Sequence, residues 1–186
     1  MIFCLIIVVL SVVLDQLSKY LIGVYLVGVE SFPQDFDLAL ALSRASESVP
    51  VINKVLNFTF IPNEGAAFGM LSEHRWVFMV LSVVGIIALV VWLAVSKVNS
   101  RWMQCAIALV VGGGIGNMID RVRLEYVIDF IDCRFIDFYV FNIADSCVCV
   151  GCAMVMLAVI IDEVKEKKAR KLALNNAASN DEGSDE

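Results

Sequence analysis

Four stretches of the chain are nearly unbroken runs of apolar side chains, and the polar residues gather between them. A helix that crosses a bilayer takes about 20 mostly apolar residues. Ile2–Val27, Trp76–Val95, Trp102–Ile119 and Phe138–Ile161 meet that requirement. The third gives only about 27 Å of helix and must stand nearly upright. Between the first two spans, Leu56, Phe58 and Phe60 alternate with Asn57 and Thr59, the period of a half-buried strand. Pro62–Gly65 then predicts a turn. Phe36–Leu40 also alternates, as a second strand or an interfacial segment. The pattern predicts an all-α membrane protein: four transmembrane helices with a small extracytoplasmic β-structure between spans one and two. An ordinary covering loop in place of the sheet stays open.

Composition supports the membrane class. Of 186 residues, 60% are hydrophobic and 18% charged, against about 25% charged in an average soluble domain; the mean hydropathy is +0.82. A soluble enzyme, a disulfide-framed secreted module and a nucleic-acid binder are all disfavoured, the last also by a net charge of −6. The length suits one domain: residues 1–164 as the transmembrane unit, 165–174 as a basic segment and 175–186 as an acidic tail expected to be disordered. Met1–Leu14 has no basic n-region or A-x-A cleavage site, so it reads as an uncleaved anchor.

Basic residues in short connections orient such a chain. Ser96–Arg101 carries Lys97 and Arg101 without an acid, and Lys165, Lys167, Lys168, Arg170 and Lys171 follow the fourth span. Both ends therefore face the cytoplasm, as does the N-terminus. The connections Gly28–Arg75 and Arg121–Asp137 face outward.

Candidate chemistry is narrow. A single histidine, His74, excludes an HExxH or three-histidine metal site. Five of the six cysteines lie in strongly apolar runs and read as small buried hydrophobes, and the isolated Cys149/Cys152 pair reads as structural. Ionisable groups beside apolar spans are more informative, because hydrocarbon excludes charge. Asp15 and Lys19 share a helix face. Asn117, Asp120 and Arg121 end the third span, just past a Gly112–Gly116 spacing that admits a second helix. Asp129 lies in the outer connection. Asp145 falls about seven residues inside the fourth span, about 10 Å from its outer end. Two carboxylates meeting there share a proton, so that one acts as base on water and the other as acid. Spacing alone leaves catalysis, polar packing and an ion path open.

Five motifs resolve that choice by resemblance. They are Asp15-Gln16-Leu17-Ser18-Lys19, Asn63-Glu64-Gly65-Ala66-Ala67-Phe68-Gly69, Gly116-Asn117-Met118-Ile119-Asp120-Arg121, Val127-Ile128-Asp129-Phe130 and Phe141-Asn142-Ile143-Ala144-Asp145-Ser146. In order and placement the chain resembles lipoprotein signal peptidase (signal peptidase II), the bacterial intramembrane aspartyl protease family. The resemblance implies cleavage of a prolipoprotein just before its diacylglyceryl-modified cysteine, with Asp129 and Asp145 as the catalytic dyad. It makes Asp15, Lys19, Asn63, Gly65, Asn117, Asp120, Arg121 and Asn142 supporting or substrate-contacting residues. It implies no metal and no cofactor. Its partners would be a diacylated prolipoprotein and membrane lipids, with no nucleic acid. It further implies a monomer in the bacterial inner membrane, both termini cytoplasmic, the site near the outer face, and sensitivity to the cyclic peptide globomycin.

The chain departs from that family's pattern in places. Glu125 stands where the family usually has glycine. The outer segment of residues 30–49 is longer and more acidic, and Asp132, Cys133 and Asp137 add groups near the dyad. The rival readings are a small transporter with Asp15, Lys19, Asp120 and Asp145 along its path, and a non-catalytic scaffold. The two halves show no inverted repeat in support of the first.

Overall fold

The computed structural model describes residues 2–28, 48–63, 75–95, 100–136 and 138–182. Its elements are α1 (Ile2–Ile22), a π-helical turn (Gly23–Val27), β1 (Ser48–Ile52), β2 (Leu56–Asn63), α2 (Arg75–Val95), α3 (Arg101–Arg123), β3 (Val127–Cys133) and α4 (Ile143–Glu182). Gly65 and the alternating run Phe36–Leu40 lie outside the described residues.

Among the described residues, three helices rather than four are long and apolar enough to cross a membrane: Ile2–Val27, Arg101–Arg123 and Ile143–Lys171. The expected second span forms α2, whose apolar stretch is the shorter Met79–Val95. Helix α1 shows how the sequence suits lipid. Leu5, Leu10, Leu14 and Leu17 face outward, while Cys4, Ser11, Asp15 and Lys19 form one buried stripe. Such an inverted pattern is stable where the surroundings are hydrocarbon and polar groups must find partners inside.

Helix α3 lies between α1 and α4, and its glycines allow both to come close. A Cβ on Gly112 would stand 2.7 Å from Ser11 Cβ, and one on Gly116 2.6 Å from Asp15 Oδ2. The spacing of four on α3 thus meets the Ser11/Asp15 spacing of four on α1. Gly113, one position round the helix, faces the backbone oxygen of Ala144 on α4.

The strands form one antiparallel sheet in the order β1-β2-β3. It differs from the expected β-structure by drawing β3 from the connection between the third and fourth spans. Alternation could not announce β3, since Val127, Ile128, Asp129 and Phe130 are all buried. Ile128 and Phe130 join Phe60 and Tyr126 in a cluster with Ile22, Leu26 and Val27, which fixes the sheet to the end of α1. Of the turn expected over Pro62–Gly65, the described residues belong to the strand: β2 continues to Asn63, pairing Pro62 with Ile128 and Asn63 with Val127. Among the described residues, strand β1 pairs only as far as Thr59, so Pro62 interrupts no second ladder there.

Three helix boundaries move. Helix α3 runs to Arg123 rather than Ile119, about 34 Å over 23 residues, so Asn117, Asp120 and Arg121 are all helical. Helix α4 begins at Ile143, not Phe138. Phe141 is claimed by the sheet edge: its N–H donates to Ile131 O at 3.1 Å and its carbonyl accepts from Ile131 N at 2.7 Å. At its other end α4 continues through Asn175 to Glu182, where the composition predicts disorder. Extending an existing helix is far easier than starting one. Cys149 and Cys152 are exposed on α4, unlike the buried cysteine expected.

Candidate active site

Lys19 is the hub at the end of the bundle. It is 2% exposed, and its Nζ lies 2.8 Å from Asp15 Oδ2 and 2.8 Å from Asp120 Oδ2. It also donates to Asn117 Oδ1 at 3.0 Å. A buried ammonium is tolerable only when paired in this way. The pairing commits these three ionisable groups to one another.

Each aspartate of the hub then reaches a backbone amide. Asp15 Oδ1 accepts from Ala144 N at 2.9 Å, and Asp120 Oδ2 accepts from Ile128 N at 3.2 Å. Ala144 immediately precedes Asp145, and Ile128 immediately precedes Asp129. One lysine with its two counter-ions thus holds the backbone beside both candidate carboxylates.

Asp145 sits in the first turn of α4, not deep inside a span. Asn142 and Asp145 form a reciprocal cap: Asp145 N donates to Asn142 Oδ1 at 2.9 Å, and Asn142 N donates to Asp145 Oδ2 at 3.2 Å. This is the N-cap arrangement that satisfies amides at a helix start. Asn117 Nδ2 donates to the other oxygen, Asp145 Oδ1, at 2.7 Å.

Asp129 is held from two other directions. Its Oδ1 accepts from Asn142 Nδ2 at 2.7 Å, and its Oδ2 accepts from Asn63 Nδ2 at 2.8 Å. Asn142 Nδ2 also reaches Asn117 Oδ1 at 3.0 Å. Asn142 therefore touches both acids. Burial, then the charge of Asp145, push the Asp129 carboxyl up to about 7; the amides of Asn63 and Asn142 and the Lys19 charge act the other way. Burial, and next the Asp120 charge, raise the nearby Tyr126 phenol, which stays protonated. The Arg121 charge acts on Asp145, Asp129 and Asp120.

The described residues that the family resemblance assigns to the site thus converge here: Asp15, Lys19, Asn63, Asn117, Asp120, Arg121, Asn142 and the two candidate acids. Gln16 was missed. Its Nε2 donates to Asp120 Oδ1 at 2.8 Å and approaches Asp15 Oδ2 and Gly116 O at 3.2 Å each. Its adjacency to Asp15 was the available signal. Asp132 does not join the site; it accepts from Thr59 Oγ1 at 2.8 Å and pairs with Arg134 Nε at 2.8 Å.

Glu125 keeps the backbone form that its place suggests for glycine, with φ of 73°. It follows the Leu124 cap of α3, where a left-handed residue commonly ends a helix.

A family model described as Signal peptidase (SPase) II matches residues 7–161. The lipoprotein signal peptidases of Streptococcus pyogenes serotype M1 and serotype M5 (strain Manfredo) are each 36% identical over 155 residues, which is 83% of this chain and 91% of theirs. Two solved structures, each described as a bacterial membrane enzyme determined by the in meso method, are similar at 33% identity. Their TM-scores are 0.73 and 0.69, covering 87% and 84% of this chain and 89% and 92% of their own.

Proposed function

Because the chain belongs to the signal peptidase II family, the proteases that remove signal peptides from prolipoproteins, we propose that Asp129 and Asp145 are its catalytic pair. The observation that carries this reading is Asn142, whose side chain bonds Asp129 and caps the turn that presents Asp145. Two facing carboxylates hold one proton between them. Asp129, pushed to about 7, retains it up to about neutral pH.

Asp145 then takes a proton from a water molecule as its oxygen attacks the scissile carbonyl carbon. Asp129 gives its proton to the carbonyl oxygen, producing a tetrahedral diol. As the diol collapses and the C–N bond breaks, Asp145 passes the proton it took from water to the leaving nitrogen of the new N-terminal cysteine, and a diol hydroxyl returns a proton to Asp129, which restores the starting pair. Lys19, Asp15 and Asp120 act by fixing the backbone beside each acid.

The substrate is a prolipoprotein bearing a diacylglyceryl thioether, whose lipid keeps the scissile bond at the depth of the dyad. In this reading α2 is the remaining crossing. Both termini are cytoplasmic, the site faces outward from the inner membrane, and a single chain suffices. Asn63 and Gly65 belong to the substrate-facing side, with Arg121 balancing the charge of the acids.

The test compares a diacylglyceryl-modified precursor with the same precursor unmodified, using the full chain in proteoliposomes. Cleavage of the lipidated form alone, blocked by globomycin, is expected. Equal cleavage of both would overturn the substrate assignment.

A further inference from the structure

Helix α2 packs against α3, and the two leave between them a groove of about 410 Å³. Its walls are wholly aliphatic or thioether: Val83, Ile86 and Ile87 from α2, with Ile115, Met118 and Val122 from α3. Such a wall makes no hydrogen bond and suits a hydrocarbon chain. From Ile115 to Arg123 the groove rises about 12 Å, most of the roughly 15 Å depth of one leaflet's hydrocarbon.

The groove ends at Arg123, in the last turn of α3. Arg123 is exposed and makes no ion pair or hydrogen bond among the described residues. The same residue also borders a smaller polar recess of about 100 Å³ with Gln16, Tyr20 and the Lys19 and Asp120 side chains, whose charges are paired with each other at 2.8 Å. A guanidinium at the boundary between an apolar groove and a polar recess matches an anionic group attached to an acyl chain.

The geometry points to a phospholipid site: one acyl chain of a bilayer glycerophospholipid lies between α2 and α3, with its phosphate on Arg123. Charge selects this occupant over the lipid of the substrate. A diacylglyceryl thioether carries no phosphate and gives an arginine nothing to bind. The bound chain fills the gap beside α2, the helix that packs mainly against α3, and ties it to the bundle.

The experiment titrates the full chain, purified in a neutral glycoside detergent, with dioleoylphosphatidylglycerol and separately with dioleoylglycerol. Binding is read by native mass spectrometry and by the thermal midpoint. Saturable binding of one phosphatidylglycerol that raises the midpoint, with no effect of dioleoylglycerol, is expected. Arg123→Gln should weaken that binding at least tenfold. Ile86→Trp, which fills the groove and leaves Arg123 in place, should also abolish the one-lipid complex. Equal binding by Arg123→Gln, or binding of dioleoylglycerol as tight as that of phosphatidylglycerol, would overturn the assignment. The Asp129→Asn chain should bind as the parent does, so the outcome is separate from that of the dyad.

Discussion

Asn142 and Asp145 cap one another at the start of α4, each side chain accepting from the other's backbone amide, at 2.9 and 3.2 Å. The cap orients an acid that is also held by Asn117. The Asn142 amide also donates to Asp129, so helix initiation and dyad geometry share one side chain. Replacing Asn142 separates the two roles. Asn142→Ser keeps a capping oxygen and should lose little stability, whereas Asn142→Ala should lose about 1 kcal/mol. Both should lose most activity, because both remove the amide that donates to Asp129 at 2.7 Å. Thermal unfolding and precursor processing, measured side by side, check this.

Glu125 carries a left-handed backbone at φ 73°. For a residue with a Cβ that conformation costs roughly 1–2 kcal/mol. Glu125→Gly should therefore raise the thermal midpoint, by an amount equivalent to about 1 kcal/mol. A lowered midpoint would show that the side chain contributes more than the strain takes away.

Gly116 and Gly85 make a matched pair of glycine tests. A methyl at 116 would meet Asp15 Oδ2 at 2.6 Å, while one at 85 meets nothing within 4 Å. Gly116→Ala should push α1 from α3, destabilise by about 1–3 kcal/mol and reduce processing. Gly85→Ala should leave both unchanged or gain up to about 1 kcal/mol from helix propensity. Unfolding in detergent together with the processing rate distinguishes them.

Asp129 gives the protein a pH signature. Its carboxyl is raised to about 7 when folded, against about 3.9 in an unfolded chain. Its contribution to stability is therefore complete below about 4 and is lost as pH climbs through about 7. Relative to the parent, Asp129→Asn should gain stability progressively across that window. Processing should fall on the alkaline side, with a midpoint near 7, as Asp129 gives up the proton it must donate. Asn63→Ala removes a hydrogen bond that favours the charged carboxylate, so it should move that limb to higher pH. A pH–rate profile of kcat/KM reads the shift.

Much of this site was legible in the sequence because membrane burial makes polar residues conspicuous. Asp15, Lys19, Asn117 and Asp120 stand out against leucine and isoleucine, and helical spacing places them on facing stripes. The Gly112–Gly116 spacing likewise announced a close helix contact, though not that α1 supplies it. The sheet was harder to see. Strand β3 is buried on both faces and shows no alternation, so Asp129 read as a loop residue. The start of α4 was misplaced because Phe138–Phe141 continue the apolar run while Phe141 pairs with Ile131. The sequence Asn142-Ile143-Ala144-Asp145 carries a capping signature that sets the true boundary. Hydropathy alone cannot register it. Gln16 is not legible in the sequence because, apart from Asp15, its partners lie 100 and 104 residues away.

The central claim is that two carboxylates, from β3 and α4, perform the cleavage together. The most direct measurement is kcat/KM for a diacylglyceryl-modified precursor by the full-length parent, Asp129→Asn and Asp145→Asn chains in the same proteoliposomes. Each variant should fold, as judged by its thermal transition, and lose roughly 10²–10⁴-fold in rate. A folded variant of either residue that processes the precursor at the parent's rate would contradict the dyad.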